Sequence, residues 1–391
     1  MVRAIFIGVC VSVTLGLLAA TPGQASLYQP DDPMVVPVRP DGVGEPFPFG
    51  EFRRRLVQLA NSGNPTLKNA DGSPTDRDRL LARVKTRQQS RNLSADETAA
   101  LAADMLRLGN TDVRYFVNDA LNLLTPRTRD RSPSYFVHTT LAEVQAARGE
   151  WADAVRYHEA AMIDCEMPAK VKGWTDAQRN WIANLDRSYV PHYLRLRKSD
   201  ADARSRPAHD SEEPTPLFPL PDGKTPVNPV RFVNDVGVYQ PGSLAAAERA
   251  KLPPDAVAIV QQLLLWFPSD TRLYWLLAEL YAAEGKLNEA ERIMNECVSE
   301  ARAYGGRKLL MDHRQAIRAA VATKPQAAAT DDLLPAAPGA DPPPGTKTDP
   351  QELPISMRTI GIYFAVVVGL GVIAIARAFT RRGRRSGGSS R

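Results

Sequence analysis

The sequence contains little cysteine. Three cysteines in 391 residues are too few for a secreted scaffold held together by disulfide bonds. Cys10 lies in an N-terminal apolar run. We expect Cys165 and Cys297 to be buried thiols, with a bridge between them as the alternative in an oxidising compartment. A mean hydropathy of -0.29 excludes a polytopic membrane protein but allows a single span.

The sequence also lacks the common motifs of catalysis and cofactor binding. No P-loop, GxSxG, HExxH or CxxC pattern occurs. The five histidines are scattered, without further metal ligands at a matched spacing: His138, His158, His192, His209 and His313. We therefore predict no cofactor, no metal and no enzymatic activity.

Long apolar runs are confined to the two ends of the chain. At the N-terminus, Arg3 precedes an uncharged run that reaches residue 20, and Gly23 and Ala25 follow with small-residue spacing. This order is typical of a secretory signal peptide. We predict a signal peptide over residues 1–25 with cleavage before Ser26, and an uncleaved anchor is the alternative.

Residues 359–376 form the second apolar run. Its 18 residues carry no charge, and as a helix they extend about 27 Å, enough to cross the bilayer core. A buried core helix is the alternative, but apolar residues on every face and the basic tail after Arg377 favour a membrane span. We predict a transmembrane helix over residues 355–378 and a basic cytoplasmic tail over 379–391.

Small residues recur every fourth position within the predicted span. Gly361, Ala365 and Gly369 have the small-xxx-small spacing that lets two membrane helices approach closely. A homodimer through this helix is therefore a hypothesis, although small residues are common in membrane helices in general.

The basic charge is concentrated near the membrane. The net charge is +5, yet eight of the 49 basic residues lie at position 3, at position 358 and from position 377 onward. The 41 others face 44 acidic residues, so the region between the two apolar runs is mildly acidic. This distribution indicates membrane topology, and we predict no nucleic-acid partner. The 38 arginines against 11 lysines are typical of a GC-rich, bacterial genome.

Proline-rich stretches divide the exported region. Because proline fixes φ and removes a backbone donor, we predict an extended linker over 26–50, a second linker over 198–236 and a stalk over 324–354. Helical periodicity fills the two blocks between them, 51–197 and 237–323, and no alternating strand pattern appears.

An internal repeat connects the two blocks. Residues 141–157 read LAEVQAARGEWADAVRY and residues 277–293 read LAELYAAEGKLNEAERI, with eight of 17 letters identical. Each stretch predicts a helix, a turn at Gly149 or Gly285, and a second helix with a small alanine, Ala154 or Ala290, facing its partner.

These motifs resemble the tetratricopeptide repeat. The family pattern is met by Tyr274, Leu277, Ala278, Tyr281 and Ala290. The resemblance covers about 40% of the chain, residues 92–165 and 240–322, although Leu/Ala/Gly spacing also marks other helical hairpins. It implies an all-α fold: an α-solenoid of such hairpins in two blocks, closed by a capping helix over 307–323, with one C-terminal transmembrane helix.

The resemblance also implies a concave binding surface lined by the first helix of each hairpin. The positions facing this groove would be Phe136, Thr139, Glu143, Arg272, Trp275 and Glu279. An unidentified protein or peptide would be the partner, and packing of these residues between repeats is the alternative.

We therefore expect a single-pass membrane protein with an extracytoplasmic scaffold or adaptor domain, periplasmic if the source is bacterial. Two alternatives stay open at this stage. One is an envelope enzyme on a helical solenoid with unidentified catalytic carboxylates, and the other is a structural envelope protein that associates with itself.

Overall fold

Helices form nearly all the regular structure of the protein. The computed structural model describes residues 25–31, 33–109, 114–132, 134–203, 214–225, 227–300 and 307–323. Within these ranges the chain forms no β-strand, only an isolated bridge between Val38 and Gly44, so the predicted all-α class is confirmed. The helices are α1 (Phe49–Gly63), α2 (Asp76–Gln88), α3 (Ala95–Leu108), α4 (Phe116–Leu124), α5 (Tyr135–Ala147), α6 (Trp151–Asp164), α7 (Asp176–Ala203), α8 (Ala246–Arg249), α9 (Ala256–Trp266), α10 (Thr271–Ala283), α11 (Leu287–Glu300) and α12 (Arg307–Thr323).

The two stretches of internal repeat form matching helical hairpins, α5–α6 and α10–α11. Gly149 and Gly285 turn the chain with φ of +78° and +77°, a left-handed conformation that favours glycine. In both turns the glycine N–H donates to the carbonyl of the residue three positions earlier. The N–H of the following residue donates to the carbonyl of the residue five positions before itself. Ala154 and Ala290 are both fully buried. The repeat in the sequence is thus also a repeat in backbone geometry.

Local capping signals begin two of the N-terminal helices. The Ser94 hydroxyl accepts the Glu97 N–H at 3.2 Å, and Glu97 Oε2 accepts the Ser94 N–H at 2.8 Å, the reciprocal pairing of a capping box at the start of α3. Thr75 and Asp78 form the same arrangement at the start of α2. These caps satisfy backbone donors that otherwise lack partners in the first turn.

Helix α7 continues through Pro191, a residue type that usually ends or kinks a helix. Pro191 lacks an N–H and removes one hydrogen bond from the helix interior. Tertiary contacts on the far side outweigh that loss, because Tyr193 is fully buried, with its ring 4.6 Å from that of Phe267. The Tyr193 hydroxyl also donates to Asp270 Oδ2 at 2.7 Å.

Residues 25–47, hereafter the N-terminal segment, form no helix where the structure describes them, and part of this segment lies within the core. Their prolines predict a linker, whereas the structure buries the side chains of Leu27, Met34, Val36 and Phe47. Burial of apolar side chains of this size stabilises the fold by about 1.5–3 kcal/mol each. The segment therefore belongs to the helical unit and is not a free spacer.

The two predicted blocks pack together in one compact unit. Nη1 of Arg272 on α10 donates to both carboxylate oxygens of Asp200 near the end of α7, at 2.9 and 2.8 Å. The proline-rich stretch between the blocks is also anchored, since Leu217 and Phe218 are buried and the Val230 N–H donates to the Phe218 carbonyl at 3.1 Å. Side-chain contacts thus join the blocks directly.

Several predicted features lie outside the described residues. These are the signal peptide up to residue 24, the stalk over 324–354, the membrane span with Gly361, Ala365 and Gly369, and the basic tail. Among the helices of the described ranges, none combines bilayer length with the apolarity of a membrane span.

Candidate functional site

The six residues predicted for a groove lie in two separate places. The three on α5, Phe136, Thr139 and Glu143, face the N-terminal segment or the small cavity beside it. The three on α10, Arg272, Trp275 and Glu279, contact other helices and loops instead. The surface of α3, α5, α7 and α9 against which the N-terminal segment lies is hereafter the groove.

An aromatic stack holds the start of the segment against α5. The rings of Tyr28 and Phe136 are stacked with centroids 3.9 Å apart, and the Trp174 ring meets Phe136 edge-on at 6.5 Å. Such pairs contribute about 0.5–1.5 kcal/mol beyond the area that they bury. Phe136 therefore acts as an anchor for the chain's own segment.

Glu143 is a buried carboxyl group that receives the main chain of the segment. Its Oε1 accepts the Leu27 N–H at 2.8 Å, and its Oε2 accepts the Ser26 hydroxyl. Burial raises the pKa of Glu143 to about 8, although both hydrogen bonds act in the opposite direction, and nearby Asp186 raises the pKa further. The fold thus disfavours the charged form of this side chain.

Thr139 lies beside Glu143 and is also buried. Its hydroxyl donates back to the Tyr135 carbonyl at 3.1 Å, within its own helix. Thr139 and Glu143 line a cavity of about 10 Å³ together with His158 and Asp186. A volume of this size holds about one water molecule, so the cavity is too small for a substrate.

Asp186 also lines this cavity and contacts two further polar side chains. It accepts a hydrogen bond from the Tyr135 hydroxyl, and its Oδ1 lies 2.9 Å from His158 Nε2. Burial and the negative charge of Asp186 raise the pKa of Tyr135 well above its ordinary value. His158 is therefore a buried partner of a carboxylate through Nε2, while its Nδ1 is buried without a hydrogen-bond partner in the described part of the chain.

Two adjacent glutamines on α9 bind the main chain of the segment. Gln262 accepts the Val36 N–H at 3.0 Å and donates to the Met34 carbonyl at 2.9 Å. Gln261 accepts the Phe47 N–H at 2.8 Å and donates to the same residue's carbonyl at 3.1 Å. Each amide therefore pairs with a donor and an acceptor of the backbone, as a neighbouring peptide group would.

Sequence reasoning missed these two glutamines. The available signal is their position in AVAIVQQLLLW, where two amides interrupt an otherwise apolar helix that is buried throughout. A buried amide requires hydrogen-bond partners, and in a helix most backbone groups are already paired with each other. The sequence does not indicate where along the chain those partners lie.

Charged and polar contacts fix both ends of the segment. Asp31 accepts hydrogen bonds from Lys172 Nζ at 3.0 Å and from Arg87. Partial burial would raise the pKa of Asp31, but the Lys172 hydrogen bond and the Arg87 charge outweigh it and hold that pKa below its usual value. At the other end, Asp255 Oδ2 accepts the Gly44 N–H at 3.3 Å and Trp181 Nε1–H at 2.7 Å.

The predicted residues on α10 hold the C-terminal helix of the described chain. Glu279 is fully buried and accepts hydrogen bonds from Trp275 Nε1 and the Tyr239 hydroxyl, both at 2.8 Å. Its Oε1 also lies 2.7 Å from His313 Nδ1 on α12, and the His313 ring stacks on Tyr239. Because Trp275 is also fully buried, these two residues are covered by α12 and the loop that carries Tyr239.

The two cysteines of the described chain are free thiols. Cys165 is half-buried and Cys297 is buried, and burial raises the pKa of the Cys297 thiol well above its ordinary value. The ranges that the structure describes contain no group of three or more His, Cys, Asp or Glu placed to hold a metal ion.

Comparisons with known proteins give no relative for this chain. No family model, no curated protein and no solved structure matches it.

Proposed function

We propose that the protein is a membrane-anchored, extracytoplasmic scaffold or adaptor built on hairpins like those of tetratricopeptide repeats. The observation that carries the proposal is the groove, in which buried side chains of α5 and α9 hold the main chain of an extended segment. Helical-repeat surfaces bind extended chains in this manner. The cavity beside Thr139 and Glu143 has a volume of about 10 Å³ and is too small for a substrate.

The solenoid part of the proposal is supported by the two matching hairpins. Gly149 and Gly285 have the same φ and the same hydrogen-bond pattern, and Ala154 and Ala290 are buried to the same degree. Close approach of two helices needs a small residue at such a position. Because 136 residues separate the two glycines, one structural unit occurs twice in the chain.

The topology part of the proposal is supported by charge and hydropathy. A cleaved signal peptide and a span over 355–378 both require residues 26–354 to lie outside the cytoplasm, and the arginines after residue 376 lie on the cytoplasmic side. Digestion of intact spheroplasts with an external protease tests this directly. We expect loss of the helical unit and retention of an epitope fused to the C-terminus, and the reverse pattern would contradict the orientation.

The adaptor role is tested by site-specific photocrosslinking of the full-length protein in its own host. Exposed apolar positions suit this purpose, and Ile163 on α6 and Val236 in the loop before α8 are 81% and 80% exposed. We expect a crosslink to one discrete protein from at least one of these positions. A probe at Lys68, an exposed polar position, is the matched control.

The same experiment separates the adaptor from the other candidates. Crosslinks that contain only a second copy of this chain would support a self-associating structural protein instead. Absence of crosslinked protein at both apolar positions would contradict the adaptor role.

A further inference from the structure

Glu143 lies in the groove without a cationic partner. Its side chain is buried, and it forms no ion pair with any basic side chain of the described ranges. The two hydrogen bonds that it accepts come from uncharged groups, the Leu27 N–H and the Ser26 hydroxyl. A carboxylate buried in this way is costly unless a positive charge compensates it.

The surroundings of Glu143 add negative charge. Asp186 faces the same small cavity, and the nearest titratable base there, His158, is already in contact with Asp186 at 2.9 Å. Tyr135 also donates to Asp186, so the polar groups around the cavity are two carboxyls, one imidazole and hydroxyls. A small cation is the group that this set lacks.

The backbone nitrogen of Ser26 is the nearest place from which a cation could arise. Leu27 N lies 2.8 Å from Glu143 Oε1, and Ser26 N is one residue earlier in the chain. Standard backbone dimensions therefore place Ser26 N within about 6 Å of the carboxyl group. The predicted cleavage by signal peptidase falls at this nitrogen, after the small-residue pair Gly23 and Ala25.

We propose that cleavage of the peptide bond between Ala25 and Ser26 creates an α-ammonium group that forms a buried ion pair with Glu143. The proposal rests on the export and processing contained in the proposed function. It assigns to Glu143 the role of receptor for the mature N-terminus, and it makes removal of the signal peptide a step in the assembly of the groove.

The chemistry of the step is ordinary peptide hydrolysis by signal peptidase. Water adds across the amide, the C–N bond breaks, and Ala25 leaves as the carboxylate end of the signal peptide. Ser26 N takes up protons and becomes an ammonium with three donors. Glu143 accepts from this ammonium, and the departure of Ala25 releases the Leu265 carbonyl, which accepts the Ala25 N–H at 3.0 Å in the uncleaved chain.

The order of events follows from burial. In the uncleaved chain Ala25 is fully buried and its N–H is bonded to α9, so the scissile bond lies inside the folded unit. A peptidase reaches the bond only before the N-terminal segment enters the groove. Cleavage must therefore precede completion of the fold, consistent with processing during export.

The test is chemical labelling of the mature N-terminus in the full-length, detergent-solubilised protein. An α-amine-selective reagent is applied near neutral pH to folded and to denatured protein, and the N-terminal peptide is sequenced and quantified by mass spectrometry. We expect the chain to begin at Ser26 and to react at least about 100-fold more slowly when folded, since reaction requires local opening.

Variants test whether the Glu143 carboxylate causes the slow labelling of the N-terminal amine in the folded protein. Glu143→Gln removes the charge at nearly constant shape and should abolish most of the protection, whereas Glu166→Gln, at an exposed position, should preserve it. Insertion of one glycine between Ala25 and Ser26 moves the amine by about 3.5 Å and should also abolish the protection. This insertion keeps Glu143 and remains informative if Glu143→Gln does not fold.

The outcomes separate this inference from the proposed function. An N-terminus at Ser26 that reacts equally fast in folded and denatured protein would overturn the ion pair and leave export intact. An uncleaved chain, or one that begins elsewhere, would overturn the inference together with the export part of the proposed function.

Discussion

At the scale of single residues, the main chain of the N-terminal segment is held by amide side chains. Gln261 and Gln262 each satisfy one backbone donor and one backbone acceptor more than 200 residues away in sequence. A buried backbone group that loses its partner costs about 1–3 kcal/mol. These amides are therefore structural requirements of the groove and not polar residues that the core merely tolerates.

Replacement of Gln262 by leucine should destabilise the fold strongly. Leucine fills a similar volume but leaves the Val36 N–H and the Met34 carbonyl without partners, and we expect a loss of roughly 2–4 kcal/mol in the free energy of unfolding. Urea denaturation of the full-length protein in detergent measures the loss. Gln315→Leu on α12, at an exposed position, should change it by less than about 0.5 kcal/mol.

Glu143 should make the stability of the uncleaved chain depend on pH. Burial raises its pKa from an ordinary value of 4.5 to about 8, so the folded state binds more protons than the unfolded state between those values. Stability from this group is therefore complete below about pH 4.5 and is lost as the pH rises through 8.

The measurement uses chain made by cell-free synthesis in detergent, in which the bond between Ala25 and Ser26 stays intact. We expect a lower melting temperature at pH 8 than at pH 5, and a smaller difference in Glu143→Gln. An equal difference in the two proteins would exclude Glu143 as the titrating group.

At the scale of elements, the two hairpins provide a matched pair of turns. Gly149 and Gly285 have the same φ, and an added Cβ would meet no atom within 4 Å at either position. The left-handed backbone conformation is then the only source of strain when alanine replaces either glycine. Gly149→Ala and Gly285→Ala should each cost about 1–2 kcal/mol, with nearly equal values, as measured by thermal or urea unfolding.

A control comes from a glycine in a helix. Gly50 lies in the first turn of α1 and also has no atom within 4 Å of an added Cβ, so Gly50→Ala should be neutral or stabilising. Losses that differ strongly between the two turn variants would contradict the equivalence of the hairpins.

Helices were predictable where local signals agree. The periodicity of α5, α6, α10 and α11, their turn glycines and the Ser94–Glu97 cap all act within a few residues, and the structure contains each of them. The continuation of α7 beyond Pro191 was not predictable, because the burial of Tyr193 against Phe267 and its bond to Asp270 are long-range contacts.

The candidate site was predictable only in part. The pattern on α5 pointed to Phe136 and Glu143, and both contact an extended segment in the structure. The same pattern on α10 gave Trp275 and Glu279, which are covered by α12 and the loop that carries Tyr239. A repeat pattern predicts which helix face points inward, but it does not predict what covers that face.

At the scale of the whole molecule, the dimer hypothesis concerns the predicted membrane helix. Leucine at position 369 would widen the face formed by Gly361, Ala365 and Gly369 and should keep two helices apart. We expect Gly369→Leu to reduce the crosslinked dimer in membranes, whereas Gly371→Leu, on a different face, should have little effect. Equal dimer yields from wild type and Gly369→Leu would contradict association through this face.

The arrangement of the N-terminal segment has a consequence for biosynthesis. The Val36 N–H is bonded to a residue 226 positions later in the chain, so this early-synthesised part of the segment is among the last to form its contacts. At about 5–20 residues per second, α9 follows roughly 10–45 s after the segment. During this interval the part of the segment around Met34 and Val36 lacks its hydrogen-bond partner Gln262, whereas Leu27 and Tyr28 can already contact α5.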